Sequence, residues 1–143
     1  MIFIPQNIID GIIAQAKNEL PDEACGLLIG KENTVVKQYP LTNVDHSPEH
    51  FSFDPKEQFG VLREARSQGL QIIANYHSHP ASPARPSEED IRLAFDPDIT
   101  YIILSLQEKE NLVIKAFSIT PQPPKGGFGE QRVSKEVKIK ITK

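Results

Sequence analysis

The sequence has no tryptophan, one methionine and a single cysteine, Cys25, in 143 residues. One cysteine cannot form an intrachain disulfide, so packing must hold the fold, and a reducing compartment suits it. No apolar run approaches the roughly 18 residues that a membrane-spanning helix needs. The opening MIFIPQNIID lacks a basic start, a long apolar stretch and a small-residue cleavage site, and does not read as a signal peptide. Basic charge is also scarce: 16 Lys and Arg against 19 Asp and Glu give a net charge of −3. Phosphate binding usually leaves a basic footprint, so this balance argues against a general nucleic-acid binder. The expectation is a cytoplasmic protein with no nucleic-acid and no membrane partner. No internal repeat is visible.

What the chain does have is apolar periodicity punctuated by proline. Hydrophobic residues make up 38% and charged residues 24%, a globular balance, and the length suits one domain with its own core. Ile8, Ile9, Ile12, Ile13 and Ala16 recur at helical spacing, which predicts an amphipathic helix over 6–19, opened by Pro5 and stopped by Pro21. EACGLLIGK reads as a strand buried on both faces, and TVVKQYPLTNV as its antiparallel neighbour. Residues 43–50 are polar and read as loop, and FSFD as a short extended piece. Asp54-Pro55 suits a cap and first turn, opening a second helix with Phe59, Leu62, Ala65 and Arg66 along one face and Gly69 at its end.

LQIIANYHSH is the next strand, SEEDIRLAF a short helix, and TYIILSL and NLVIKAFSI two more strands. TPQPPKGGFGEQ is a Pro- and Gly-rich surface loop, and the tail VKIKITK a one-sided strand whose lysines would guard a sheet edge. The order predicts an α/β fold with a mixed, mostly antiparallel β-sheet flanked by helices, not a repeated βαβ winding. It is one domain over 1–143, with its core in 2–119, a flexible loop over 120–132 and a C-terminal strand over 133–142.

The chemistry concentrates in NYHSHPASPARPSEED, residues 75–90. Residues two apart on a strand share a face, so His77 and His79 point the same way at a strand end, and Ser78 points away. Two imidazoles on one rigid edge fix two corners of a metal site, and Asp90 is the first candidate for a third. Ser87 and Asp90 also have the spacing of a helix capping box, which needs no metal. On the residues alone both readings stand. His46 and His50 are four apart with Pro48 between them, and read as surface histidines. Cys25 reads as a small buried strand residue. KGGFG lacks the spacing of a phosphate loop and reads as a flexible connection.

His77-Ser78-His79, then seven residues beginning with Pro80, then Ser87, two more, and Asp90 resembles the signature of the JAMM (MPN+) zinc metallopeptidases. That family also has a glutamate upstream, which PDEACGLLIG matches with Glu23; Asp22 is the competing acid. The resemblance runs over roughly 2–119. It implies a cytidine-deaminase-like sheet and one zinc ion per chain held by His77, His79 and Asp90. It implies that Glu23 is the general base for the zinc-activated water, and that Ser87 hydrogen-bonds the oxyanion. It also implies a substrate: a peptide or isopeptide bond next to the C-terminal Gly-Gly of a ubiquitin-like or sulfur-carrier protein. The chain looks like the short stand-alone prokaryotic members. An extended substrate tail can add as a strand beside an exposed sheet edge. The alternatives are a general isopeptidase acting on protein conjugates and a non-catalytic MPN scaffold. A cell-wall peptidase role is disfavoured by the missing partner domain and signal peptide.

Overall fold

The structure, a computed structural model, describes residues 1–122 and 131–143. The first apolar residues form a strand, β1 (Ile2–Pro5), which runs directly into helix α1 (Gln6–Asn18). Ile8, Ile9, Ile12 and Ala16 are the buried face of α1, as their spacing predicts. β2 (Cys25–Lys31) is buried along all but its last residue. It pairs antiparallel on one side with β3 (Thr34–Leu41) and on the other with β4 (Gln71–His79). Between β3 and β4 lies α2 (Pro55–Ser67), capped by Asp54, whose Oδ1 accepts from the Lys56 amide at 2.9 Å. Gly69, at φ 70°, turns the chain out of α2 in the left-handed conformation that glycine tolerates best.

A five-residue helix, α3 (Glu88–Arg92), follows β4, and then β5 (Thr100–Ser105) and β6 (Val113–Gln122). The last described segment gives β7 (Gln131–Val137) and β8 (Ile139–Thr142). The eight strands form one sheet in the order β7-β6-β5-β4-β2-β3-β1-β8. Four of its seven pairings are antiparallel; β1–β3, β1–β8 and β4–β5 are parallel.

Each face of the sheet has its own core. Ile8, Ile9 and Ile12 of α1 pack with Leu28, Ala74, Tyr76, Ile102 and Leu104. On the other face, Val61 and Ala65 of α2 pack with Cys25, Leu27 and Ile29. Because Cys25 lies opposite His77, the two histidines of β4 are on the α2 side. Gly26, opposite Tyr76, admits no side chain: a methyl there would strike the Tyr76 hydroxyl and the Tyr39 carbonyl. That hydroxyl is instead held by Gln15 and Gln38.

Three expectations need correction. The buried face of α2 is Val61 and Ala65, with Leu62 at its margin, and Phe59 is 59% exposed. A small residue one turn from Val61 brings the helix close to the sheet, and the phenylalanine turns outward. The C-terminal strand expected over 133–142 is two strands, and they lie at opposite ends of the sheet order. Only Lys138 separates them, so the two ends can be no more than about 7 Å apart there. The sheet is therefore curled so that its two edge strands converge at this corner, where the Ile2 amide donates to the Lys138 carbonyl at 2.9 Å. Local alternation cannot reveal such a crossing, because both halves keep the pattern of a strand. The loop expected over 120–132 is also shorter at both ends, since β6 reaches Gln122 and β7 begins at Gln131. Its remainder, with KGGFG, lies outside the described residues. Among those described, no helix is long and apolar enough to cross a membrane.

Candidate metal centre

β4 is a central strand, flanked by β2 and β5, and its last residues carry His77 and His79. The chain then turns through Pro80, Pro83 and Pro86, three residues that cannot extend the ladder. The turn is tied down at two points. The Ser105 hydroxyl donates to the Ser82 carbonyl at 2.7 Å, and the His79 Nδ1 hydrogen to the Pro83 carbonyl at 2.8 Å. α3 then starts on a capping box. The Asp90 amide donates to Ser87 Oγ at 3.0 Å, and the Ser87 amide to Asp90 Oδ2 at 2.9 Å.

That same Oδ2 lies 3.1 Å from the Nε2 of both His77 and His79, and the two Nε2 atoms are 3.0 Å apart. The three atoms form a nearly equilateral triangle, the one group of His, Cys, Asp and Glu among the described residues able to hold a metal ion. Bonds of about 2.0–2.1 Å in a tetrahedral zinc site would separate ligand atoms by about 3.3 Å. The triangle is within a few tenths of that spacing. Its chemistry fits as well. A carbonyl can only accept, so His79 carries its proton on Nδ1 and turns the Nε2 lone pair inward. Two inward nitrogens and one carboxylate oxygen 3 Å apart ask for a cation between them.

Electrostatics separate the three groups. Burial lowers the His77 pKa and so favours the neutral ring, whose Nδ1 has no hydrogen-bond partner. Burial pulls His79 down too, but its bonds to Asp90 and the Pro83 carbonyl leave it raised. Burial pushes Asp90 up, yet its contacts with both histidines prevail and hold it far below the usual carboxylate range. The aspartate is the anchor of the cluster.

Glu23 is 3% exposed and precedes the first residue of β2, so no ladder holds it. Four hydrogen bonds replace the ladder. The Glu23 amide donates to the Ser47 carbonyl at 2.8 Å, and the Glu23 carbonyl accepts from Asn43 Nδ2 at 3.0 Å. The Ala24 amide donates to Ser78 Oγ at 2.8 Å, and the Ala24 carbonyl accepts from the Ser78 amide at 2.9 Å. Ser78, which points away from its histidine neighbours, thus fixes the backbone beside Glu23. Burial pushes the Glu23 carboxyl up to about 8; His79 works against that shift, while Asp90 and Glu89 add to it. The carboxyl is therefore within electrical reach of the cluster, and its Oε1 is buried with no hydrogen-bond partner.

Two cavities lie on this side of the sheet. An open groove of about 890 Å³ runs between α2, the start of β4 and the 93–101 segment. A smaller, mainly apolar pocket of about 180 Å³ reaches His77 and Asp90. Phe53, Asn75, Leu93 and Tyr101 line both, so they form the neck between groove and cluster. Phe51 closes the pocket by stacking on the His77 ring, with centroids 4.6 Å apart.

The residues singled out from sequence thus divide. His77, His79 and Asp90 meet in one triangle, Ser87 caps the helix beside it, and Glu23 is buried in its field. Ser87 is an exposed residue. His50 pairs with Asp45 at 3.1 Å on the surface, and neither His46 nor His50 joins the cluster. Cys25 is fully buried, and burial pushes its thiol up to about 12, which leaves it inert. Asn43, Phe51 and Ser78 were not expected at the site. Only the distance pattern of the folded chain reveals them. β4 is flanked by β2 as far as His77 and by β5 as far as His79, which leaves little open edge along the histidine strand.

A family model described as prokaryotic homologs of the JAB domain matches residues 5–119. The chain is 31% identical over 121 residues to the CysO-cysteine peptidase of Mycobacterium tuberculosis, covering 83% of each protein. It is 35% identical over 95 residues to a probable TtuB-protein conjugate cleaving protease of Thermus thermophilus, covering 66% of this chain and 64% of the relative. Among solved structures, a Desulfitobacterium hafniense protein superposes with a TM-score of 0.82 at 42% identity, covering 99% of this chain and 93% of the other. A JAB1/MPN domain protein from Archaeoglobus fulgidus superposes at 0.61 with 22% identity, covering 99% and 97%, and shares the fold.

Proposed function

Because the chain belongs to the prokaryotic JAB-domain family, we propose that it is a JAMM-type zinc metallopeptidase acting on ubiquitin-like or sulfur-carrier proteins. The bond cut is the peptide or isopeptide bond that follows the carrier's C-terminal Gly-Gly. The observation that carries this reading is the triangle of His77 Nε2, His79 Nε2 and Asp90 Oδ2, with atoms 3.0–3.1 Å apart, beside a buried glutamate. The substrate class follows from relatives named for a carrier-linked cysteine and for a protein conjugate.

A bound zinc ion supplies Lewis acidity and lowers the pKa of water toward about 7. The chain's own residues do the rest. Two neutral imidazoles and one carboxylate give a donor set of single negative charge, which leaves a dication half neutralised. Glu23 takes the proton of the attacking water on its carboxylate and returns it to the leaving amine. A carboxyl pushed up by burial suits that exchange, and a nearby cation makes it ionise more readily. Ser87 accepts from the Asp90 amide, so its own hydrogen is free to turn toward the oxyanion. Phe51, Phe53 and Leu93 give the pocket an apolar wall. The neck favours a substrate that is thin next to the scissile bond, and two glycines are the thinnest that a chain offers.

Two substrates test the reading: a Gly-Gly carrier extended by a short peptide, and the same carrier joined to a lysine side chain. Cleavage after the second glycine, lost on chelation and restored by zinc, is the expected result. Full activity in the chelated protein, or an absence of bound metal after zinc loading, would remove it.

A further inference from the structure

We propose that Asn43 is the positioning residue for the Glu23 carboxylate, a role that rests on the peptidase reading above. Asn43 is 4% exposed, and every hydrogen-bonding position of its amide is used. Nδ2 donates to the Glu23 carbonyl at 3.0 Å and to the His50 carbonyl at 3.1 Å. Oδ1 accepts from the Asp45 amide at 3.0 Å and the Ser52 amide at 3.3 Å. These partners fix the amide's orientation, since a flip would set oxygen against two carbonyls and nitrogen against two N–H groups.

The four partners belong to two different structures. One is the irregular residue ahead of β2 that carries the base. The others belong to the 44–53 loop, whose neck is the Asn43–Phe53 bridge. That loop makes a further bond, its Ser47 carbonyl accepting from the Glu23 amide at 2.8 Å. It also carries Phe51, stacked on His77. One side chain therefore sets the base against the histidine ring. Aspartate at 43 would keep both acceptor contacts and lose both donor contacts. Alanine would lose all four.

The zinc-loaded enzyme, with the peptide-extended Gly-Gly carrier as probe, separates positioning from support. Asn43→Asp is expected to lower kcat about 10²-fold, the scale of a roughly 1 Å misplacement, with KM and zinc content unchanged. In a Glu23→Gln background the same change should cost less than about twofold, because there is no base left to misplace. Equal losses in both backgrounds would overturn the proposal. Amide hydrogen exchange gives a readout that needs no turnover. In Asn43→Asp the Glu23 amide should exchange about tenfold faster, with Leu28 in mid-β2 unchanged. If both accelerate together, or neither does, Asn43 does not position the base. Asn43→Ala repeats the test should the aspartate variant fold poorly. A wild-type enzyme that cleaves no Gly-Gly substrate would remove the peptidase reading itself. An additive cycle in an active enzyme would remove Asn43 alone.

Discussion

The two halves of this site are built in opposite ways. The candidate metal cluster comes from fourteen consecutive residues, His77 to Asp90, whose mutual geometry is set mainly within that stretch. The proposed base, Glu23, is held by Asn43, Ser47 and Ser78, the last of them 54 residues distant from its Ala24 partner. The first half uses a strand end, a proline-fixed turn and a capping box, all short-range devices. The second uses backbone hydrogen bonds that exist only once β2, β4 and the 44–53 loop have come together. Local construction suits a cluster whose ligand atoms must keep about 3 Å spacing. Long-range construction lets a separate element bring the proton acceptor to it.

The largest expected effect is on the local half. Asp90→Ala removes an oxygen of the candidate metal triangle and one half of the capping box with one change. Zinc content after dialysis should fall from about one equivalent to near zero, while Ser87 still accepts from the residue-90 amide and keeps the other half of the cap. Unchanged zinc affinity would return Asp90 to a purely capping role.

A pH effect probes the distant half. Glu23 has a folded pKa raised to about 8 by burial, so the unfolded chain gives up that proton first as pH rises. In chelated protein its contribution to stability is full below about pH 4.5 and is lost on the way to pH 8. Glu23→Gln should therefore stabilise the chelated protein by a few kcal/mol at pH 8, and by little at pH 4. Parallel denaturation curves for the two proteins across that range would contradict the burial of an ionisable base.

Ser78 joins the halves, since it sits between the two histidines yet bonds to Ala24. Ser78→Ala leaves a buried N–H unpaired and should cost about 1–3 kcal/mol in chemical denaturation. It should lower turnover more than zinc content; a loss confined to zinc would place its influence on the histidines. The smallest effect is expected at the exposed Ser87. Ser87→Ala should cost the cap about 1 kcal/mol, and Ser87→Thr should restore it. If Ser87 serves the oxyanion, turnover in the alanine variant falls further than that cap loss explains.

This contrast also decides what was legible beforehand. His77, His79, Ser87 and Asp90 stand in one stretch, and both of Asp90's roles could be read from its spacing. The two are compatible, because the oxygen that accepts from the Ser87 amide is also the one that faces the histidines. Glu23 could be named only through a family resemblance, because nothing near it in sequence says what surrounds it. Asn43 read as one polar loop residue among several, and its four bonds depend on tertiary contacts. The same limit explains the tail. VKIKITK alternates like a strand, and alternation cannot say that the chain changes sheet edge at Lys138. Likewise the helical period of α2 gave its existence, but the closeness of Ala65 to the sheet chose its face.

The central claim is that one group of residues holds the metal and a separate one moves the proton. Zinc content and carrier cleavage, measured together on purified Glu23→Gln, test it most directly. The account predicts zinc at the wild-type level, with cleavage reduced by about 10²–10⁴-fold. Loss of zinc from this variant, or cleavage at the wild-type rate, would contradict it.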